Sequence, residues 1–374
     1  MLGHIESMLK GDSIINNYDR LASDILDGMV DWVRVIDNKG YTIYTNKSME
    51  RDLQGRALGA KCYRVFEKDS RCRRCITETT MSTGEIAEKE EIIGEKIFSI
   101  KSSPVRDDEG NIYAVVEVFR DVTKERKLEK EIMKRNEKMS KDLAFARKIQ
   151  KKILPKQGKY GRVEMEYLYR PCEMLSGDMF DIFKIDESHI GFYVSDVVGH
   201  GVTASIMTMF VKQTMASIVS EYISPGEAMT NLHKNFLDLN LDVESYFTIF
   251  YGIINTEDRV LKFVNGGHNS VPFHIKSEDI GHLEGTGYPI TSLFDNIVYT
   301  DSQVKLSSGD ELILYTDGIT EAKNREGEEY GFERLADIVG ERHENPIKAI
   351  KNSVDDFIFY ELEDDFTILR LKLL

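Results

Sequence analysis

Four short acidic segments, SGDMFD (176–181), SDVVGHG (195–201), YTDGITE (315–321) and EDDFT (363–367), are spread over the C-terminal 200 residues and constrain the fold more than any other feature. Each sets an Asp beside a Gly or at an expected strand end, where the backbone turns and a carboxylate can project into a cleft. Asp178, Asp196, Asp317 and Asp364 can work together only if antiparallel strands bring those ends to one place. Carboxylate, carbonyl and water oxygens are the ligands that hard divalent cations select. A fold that converges these four Asp residues could hold two such ions and activate a water between them. A single Asp-Gly pair is ordinary turn chemistry; four in this arrangement point to a site.

Composition sets the outer bounds. The chain has 374 residues, 41% of them apolar and 30% charged, enough for two or three soluble domains. No run of residues is long and apolar enough for a membrane span, and MLGHIESMLKGDS lacks the basic-then-apolar order of a secretory signal, so the expectation is cytoplasmic. A net charge of −15 argues against nucleic-acid binding, which needs a basic surface. The exception is residues 124–156, with 13 Lys/Arg against 5 Asp/Glu: a solvated helix face or a docking surface. Cys62, Cys72 and Cys75 cluster, the last two as C-x-x-C, and read either as incidental structural thiols or as a redox or metal sensor lacking a fourth ligand.

Along the chain, residues 1–20 form a polar segment with weak helical periodicity. WVRVID (32–37) and YTIYTN (41–46) flank Asn38-Lys39-Gly40 and predict a hairpin. Strands are expected at 87–93, 96–105 and 112–122. The segments VIDNKGYTIYTN and SSPVRDDEGNIYAVVEVFRDVTKERKLE give 21–123 a resemblance to a PAS sensor domain, one that leaves the ligand unspecified. Residues 124–155 hold a long helix without Gly, ended by Pro155. Ile132, Met139, Ala146 and Ile153 fall seven apart, with Leu128 and Ile149 at the companion position and Arg135 and Asp142 interrupting it. That imperfect seam predicts a coiled coil between two copies of the chain; a single helix packed on its own domain is the alternative.

Residues 160–374 alternate strand runs, apolar on both faces, with helices near 201–221, 225–239, 332–342 and 346–360, as a two-layer β core covered by helices requires. The order SGD, DVxGHG, TDGxxE, DDxT resembles the metal-dependent protein phosphatase superfamily, in its bacterial SpoIIE/RsbU branch. The fold class is then α+β: a PAS domain, a helical linker and a C-terminal α/β/β/α sandwich. The resemblance implies hydrolysis of phosphoserine or phosphothreonine with two Mn²⁺ or Mg²⁺ ions, on a phosphorylated STAS-type anti-sigma-factor antagonist. By motif, Asp178 and Asp196 are the core ligands, with the Val197 carbonyl, Asp317 and Asp364 completing the site; Asp181 and Asp365 are weaker candidates. Arg170 is a candidate phosphate contact. His200 and His268, in glycine-rich turns, either position the loop and substrate or support structure. Cys172 is a packed thiol, not a nucleophile. A non-catalytic scaffold that binds a partner is the alternative function.

Overall fold

The computed structural model describes residues 13–219, 224–277, 279–359 and 362–374, with the side chains of 13–19 outside that description. The expected N-terminal segment 1–20 therefore lies mostly outside the described residues. The chain divides between Lys138 and Met139 into two compact units.

The first unit opens with helix α1 (Ser13–Asp27), followed by β1 (Trp32–Asp37), β2 (Thr42–Thr45) and α2 (Lys47–Asp52). The predicted hairpin is present. Asp37 Oδ1 accepts from the Lys39 and Tyr41 amides, and Gly40 takes the positive φ (83°) that lets the chain reverse. Helix α3 (Ile76–Thr83) precedes β3 (Ala87–Ile93), β4 (Lys96–Arg106) and β5 (Ile112–Asp121), giving an antiparallel sheet in the order β2-β1-β5-β4-β3. Trp32 and Phe98 stack at its core with centroids 4.5 Å apart, and Phe119 packs edge-on to Phe98.

A buried ion pair organises the other part of this unit. Arg34 donates from Nε and Nη2 to Glu117 Oε2 at 3.0 and 2.8 Å, and from Nη1 to the Cys62 carbonyl at 3.0 Å. Thr77 Oγ1 donates to Glu117 Oε1 at 2.6 Å. Arg34 and Glu117 line a cavity of about 220 Å³ together with Cys62, Cys72 and Cys75. Lys68 and Lys89 each place Nζ 3.7 Å from Cys72 Sγ. The three thiols share this cavity, and their sulfurs do not form a group with every member within 4.8 Å of the others. Burial raises the Cys62 thiol pKa.

Helix α4 (Thr123–Ile153) is uninterrupted, and the seam residues Leu128, Ile132, Met139 and Ile149 on it are exposed. The second unit has β6 (Gly158–Tyr160), β7 (Val163–Arg170), β8 (Asp178–Lys184) and β9 (His189–Val197), then helices α5 (Val202–Ile218) and α6 (Pro225–Leu237). Next come β10 (Tyr246–Asn255), β11 (Val260–Gly266), β12 (Phe273–Ile275), β13 (Ile280–His282), β14 (Ile290–Thr291), β15 (Ser302–Lys305) and β16 (Glu311–Tyr315). Helices α7 (Gly331–Gly340) and α8 (Pro346–Phe357) and strand β17 (Phe366–Leu373) complete the chain.

Two sheets face each other, one ordered β15-β11-β10-β9-β8 with β14 beside β10, the other β13-β12-β16-β17-β7-β6. Residue alternation assigns the faces. Leu312, Leu314, Leu369 and Leu371 turn into the space between the sheets, where Phe180 meets Tyr167 at 4.7 Å. Ile313, Tyr315, Phe366 and Ile368 face outward and pack with α7 and α8 through Leu335, Val339, Ile350 and Val354. Helices α5 and α6 cover the other sheet through Val211, Met215, Met229 and Leu232. The result is the α/β/β/α sandwich. Strands β12 to β15 are two to four residues long, too short to show periodicity in the sequence.

Candidate metal centre

The inner face that is apolar along most of the sandwich becomes polar at one end. Asp178, the first residue of β8, lies directly opposite Asp196 on β9, and Asp196 opposite Thr248 on β10. From the facing sheet, Thr316 and Thr367 extend the inward rows of β16 and β17. Both donate to Asp178 Oδ2, at 2.8 and 2.5 Å. These two hydroxyls hold one oxygen of a carboxylate that is 1% exposed. The other oxygen, Oδ1, is buried with no hydrogen-bond partner. Leaving an anionic oxygen unpaired in the interior is costly.

Burial, then the charges of Asp196 and Asp365, push the Asp178 carboxyl well above the ordinary carboxylate range. Asp196 is pushed up to about 8, by burial first and then by Asp317 and Asp364. Asp364 rises through burial and its neighbours Asp317 and Asp365. Glu321, at the end of the third motif, also rises, through burial and the charges of Asp317, Glu329 and Asp364. Carboxylates that raise one another in this way, around an unpaired buried oxygen, form a donor set suited to hard cations.

Two glycines let the turns approach. A Cβ on Gly177 would lie 3.0 Å from the Val197 carbonyl oxygen and 2.9 Å from that of Gly199. One on Gly318 would lie 2.2 Å from the Asp365 carbonyl oxygen, well inside contact distance. Gly318→Ala must therefore displace the Asp317 or the Asp365 turn. It is expected to cost about 3 kcal/mol or more in urea unfolding and to weaken Mn²⁺ binding; stability within 0.5 kcal/mol of the parent would show that the turns yield freely.

The weaker candidates occupy other positions. Asp181 is three residues from Asp178, and the strand period of two turns it to the opposite face of β8. There its Oδ2 meets Lys212 Nζ of α5 at 2.5 Å. Asp365 accepts from the Cys172 amide through Oδ1 (2.9 Å) and the Gly177 amide through Oδ2 (2.6 Å), strapping the start of β17 to the segment before β8. Cys172, Asp364 and Asp365 bring their ligand atoms within 4.8 Å of one another. Burial and the Asp365 charge push the Cys172 thiol up to about 12, which disfavours the nucleophilic thiolate. Arg170 is turned to α8, donating to Asp355 Oδ1 at 2.6 Å.

The two histidines differ. His268 is buried. Its Nε2 donates to the Tyr315 carbonyl at 2.9 Å, so the proton is on Nε2 and Nδ1 accepts from Thr248 Oγ1 at 3.1 Å. Burial lowers its pKa, in keeping with a neutral ring that ties β10 to β16 behind the site. His200 is exposed and pairs with Glu173 at 3.1 Å. Thr316 and Thr367 are partners of Asp178 that the motif reading overlooked, although both stand inside the quoted motifs. The available signal was a hydroxyl one or two residues from an Asp at a strand end.

Comparisons with known proteins agree with this architecture. Residues 186–374 match the family model of Stage II sporulation protein E (SpoIIE), and residues 26–127 that of the PAS fold. Phosphoserine phosphatase RsbP of Bacillus subtilis is 27% identical over 218 residues, 57% of this chain and 52% of that protein. Phosphoserine phosphatase RsbU of the same organism is 26% identical over 210 residues, 54% of this chain and 61% of that protein. The chain thus spans less than two thirds of either relative's length. Among solved structures, the SiaA-PP2C domain of Pseudomonas aeruginosa is similar over 63% of this chain and 98% of its own, at 20% identity and a TM-score of 0.55. The PP2C phosphatase domain of SpoIIE from Bacillus subtilis, with a fragment of its regulatory domain, is similar over 81% of this chain and 76% of its own, at 17% identity and a TM-score of 0.50. The matched half of the chain, from the strand that delivers Asp196 to the C-terminus, places this protein in the SpoIIE family, behind a PAS domain.

Proposed function

We propose that this chain is a PAS-regulated phosphoprotein phosphatase that hydrolyses phosphoserine or phosphothreonine. The observation that carries the reading is the pairing of Asp178 with Asp196 across β8 and β9, one oxygen of Asp178 held by two threonines and the other buried and unpaired. Asp178, Asp196, Asp317, Asp364 and the Val197 carbonyl would hold two Mn²⁺ or Mg²⁺ ions. Such ions, when bound, lower the pKa of a water and offset charge on the phosphoryl oxygens. The protein's part is to hold the carboxylates in place against their repulsion. Thr316 and Thr367 hold one oxygen of Asp178, Asp365 ties its own turn to the Cys172 and Gly177 amides before β8, and neutral His268 joins the sheets without adding charge.

The substrate proposed is a phosphorylated STAS-type anti-sigma-factor antagonist, in keeping with the similarity to the phosphoserine phosphatases RsbU and RsbP. The exposed apolar residues Leu128, Ile132, Met139 and Ile149 on α4 support pairing with a second copy along 124–155. No helix among the described residues is long and apolar enough to cross a membrane.

The test is hydrolysis of p-nitrophenyl phosphate and of a phosphoserine peptide by the full chain with Mn²⁺. Turnover that EDTA abolishes and Mn²⁺ restores is expected. Bound Mn²⁺ with no turnover on either substrate would favour a non-catalytic scaffold.

A further inference from the structure

Among the 31 residues of α4, one is buried, and it is polar: Gln150, 1% exposed. Its carboxamide is matched to both backbone groups of one residue of the first acidic motif. Nε2 donates to the Ser176 carbonyl at 2.8 Å, and the Ser176 amide donates back to Oε1 at 3.1 Å. The same Nε2 reaches Thr208 Oγ1 on α5 at 3.4 Å; that hydroxyl spends its own proton on the Ser205 carbonyl at 2.7 Å. From Ser176 the chain of bonds continues inward. Ser176 Oγ accepts from the Asp178 amide at 3.0 Å, and the Gly177 amide donates to Asp365 Oδ2 at 2.6 Å.

We infer that Gln150 is a positioning residue for the metal centre, one that sets the place of Asp178 through the Ser176 backbone; this rests on the phosphatase reading above. The physical case lies in the bonding pattern. A primary amide carries a donor and an acceptor side by side and so can satisfy a buried backbone N–H and C=O at once. Because both groups are buried, losing the amide leaves them unpaired rather than hydrated. Gln150 also touches both segments that follow or precede core ligands. Ser176 is two residues before Asp178, and α5 begins at the end of the Asp196–Gly201 turn. A rotation or axial slide of the end of α4 by less than a helical turn would separate the amide from Ser176. It would then act on Asp178 and on the Asp196 turn together. The remaining side chains of α4 are not buried, although Ile153 packs partly against the core.

The experiment uses the full chain and reads Mn²⁺ binding by isothermal calorimetry, together with turnover of p-nitrophenyl phosphate as Mn²⁺ is varied. Gln150→Leu should weaken Mn²⁺ binding by about 10–100-fold, the usual effect of removing a partner that orients a metal ligand. Turnover at saturating Mn²⁺ should stay within about threefold of the parent, so that the loss falls on the metal requirement. Gln150→Glu keeps the acceptor for the Ser176 amide but sets a carboxylate oxygen against the buried Ser176 carbonyl, and should also weaken Mn²⁺ binding. Thr208→Val removes the arm to α5, together with the hydroxyl's own bond to the Ser205 carbonyl, and should change Mn²⁺ binding less than either. Gln150→Leu with a lowered thermal midpoint but parental Mn²⁺ affinity would overturn the inference and make Gln150 a packing residue. If the parent itself bound no Mn²⁺, the metal reading would fail and this inference with it, an outcome separate from the first.

Discussion

Asp196→Asn is expected to reduce Mn²⁺-dependent turnover by at least about 10³-fold, because it removes a direct ligand where loss of an orienting partner alone costs about 10–100-fold. The more diagnostic result is on stability. Asp196 is half-buried, and its charge is opposed by burial and by Asp317 and Asp364. Replacing it with a neutral side chain of the same shape removes that repulsion. In EDTA the variant is expected to unfold at a thermal midpoint equal to or above the parent's; in Mn²⁺ the order should reverse, because only the parent gains binding energy. A variant that is inactive and less stable in EDTA would mean that Asp196 supports the fold rather than a metal.

The pH dependence of the metal-free chain gives the second large effect. Burial and the charges of Asp317 and Asp364 push the folded Asp196 carboxyl from its ordinary 3.8 up to about 8, and Asp178 moves in the same direction. A carboxyl raised by folding binds its proton more tightly in the native state. Its contribution is therefore fully present below about pH 4 and is lost as pH rises toward about 8. For Asp196 alone this amounts to something on the order of 5 kcal/mol. The thermal midpoint in EDTA is expected to fall by roughly 10 °C over that window. Mn²⁺ should abolish most of the slope, since a cation replaces the proton as the partner of the carboxylates. A flat midpoint between about pH 5 and 8 in EDTA would show that the carboxylates are hydrated and apart. The slope should also shrink in Asp196→Asn, which ties it to that residue.

Much of this arrangement is legible in the sequence. The Asn38-Lys39-Gly40 hairpin follows from local turn chemistry, and α4 from a long run without Gly or Pro breakers. Long strands such as β10 and β17 carry enough apolar residues to be read as two-faced. The short strands β12 to β15 do not, because two to four residues cannot display a period. Asp317 was expected to end a strand; β16 instead stops at Tyr315 and Asp317 opens a short 3-10 turn, a shift of two residues that local propensity does not set.

The sequence by itself determined which residue types could form a hard-cation site and that they stand where the backbone turns. Tertiary structure decided how those residues share the work. Asp178 and Asp181 are three apart in one motif, yet the pleat of β8 sends one between the sheets and the other to Lys212. Asp364 and Asp365 are adjacent, and it is the second whose two oxygens are drawn off by the Cys172 and Gly177 amides. Gln150 carries no mark of its own in the chain, and Thr316 and Thr367 carry only a hydroxyl close to an Asp of their motifs. Their roles arise because hydrogen bonds and burial act between atoms near in space, across separations of 26 to 189 residues that no local pattern encodes.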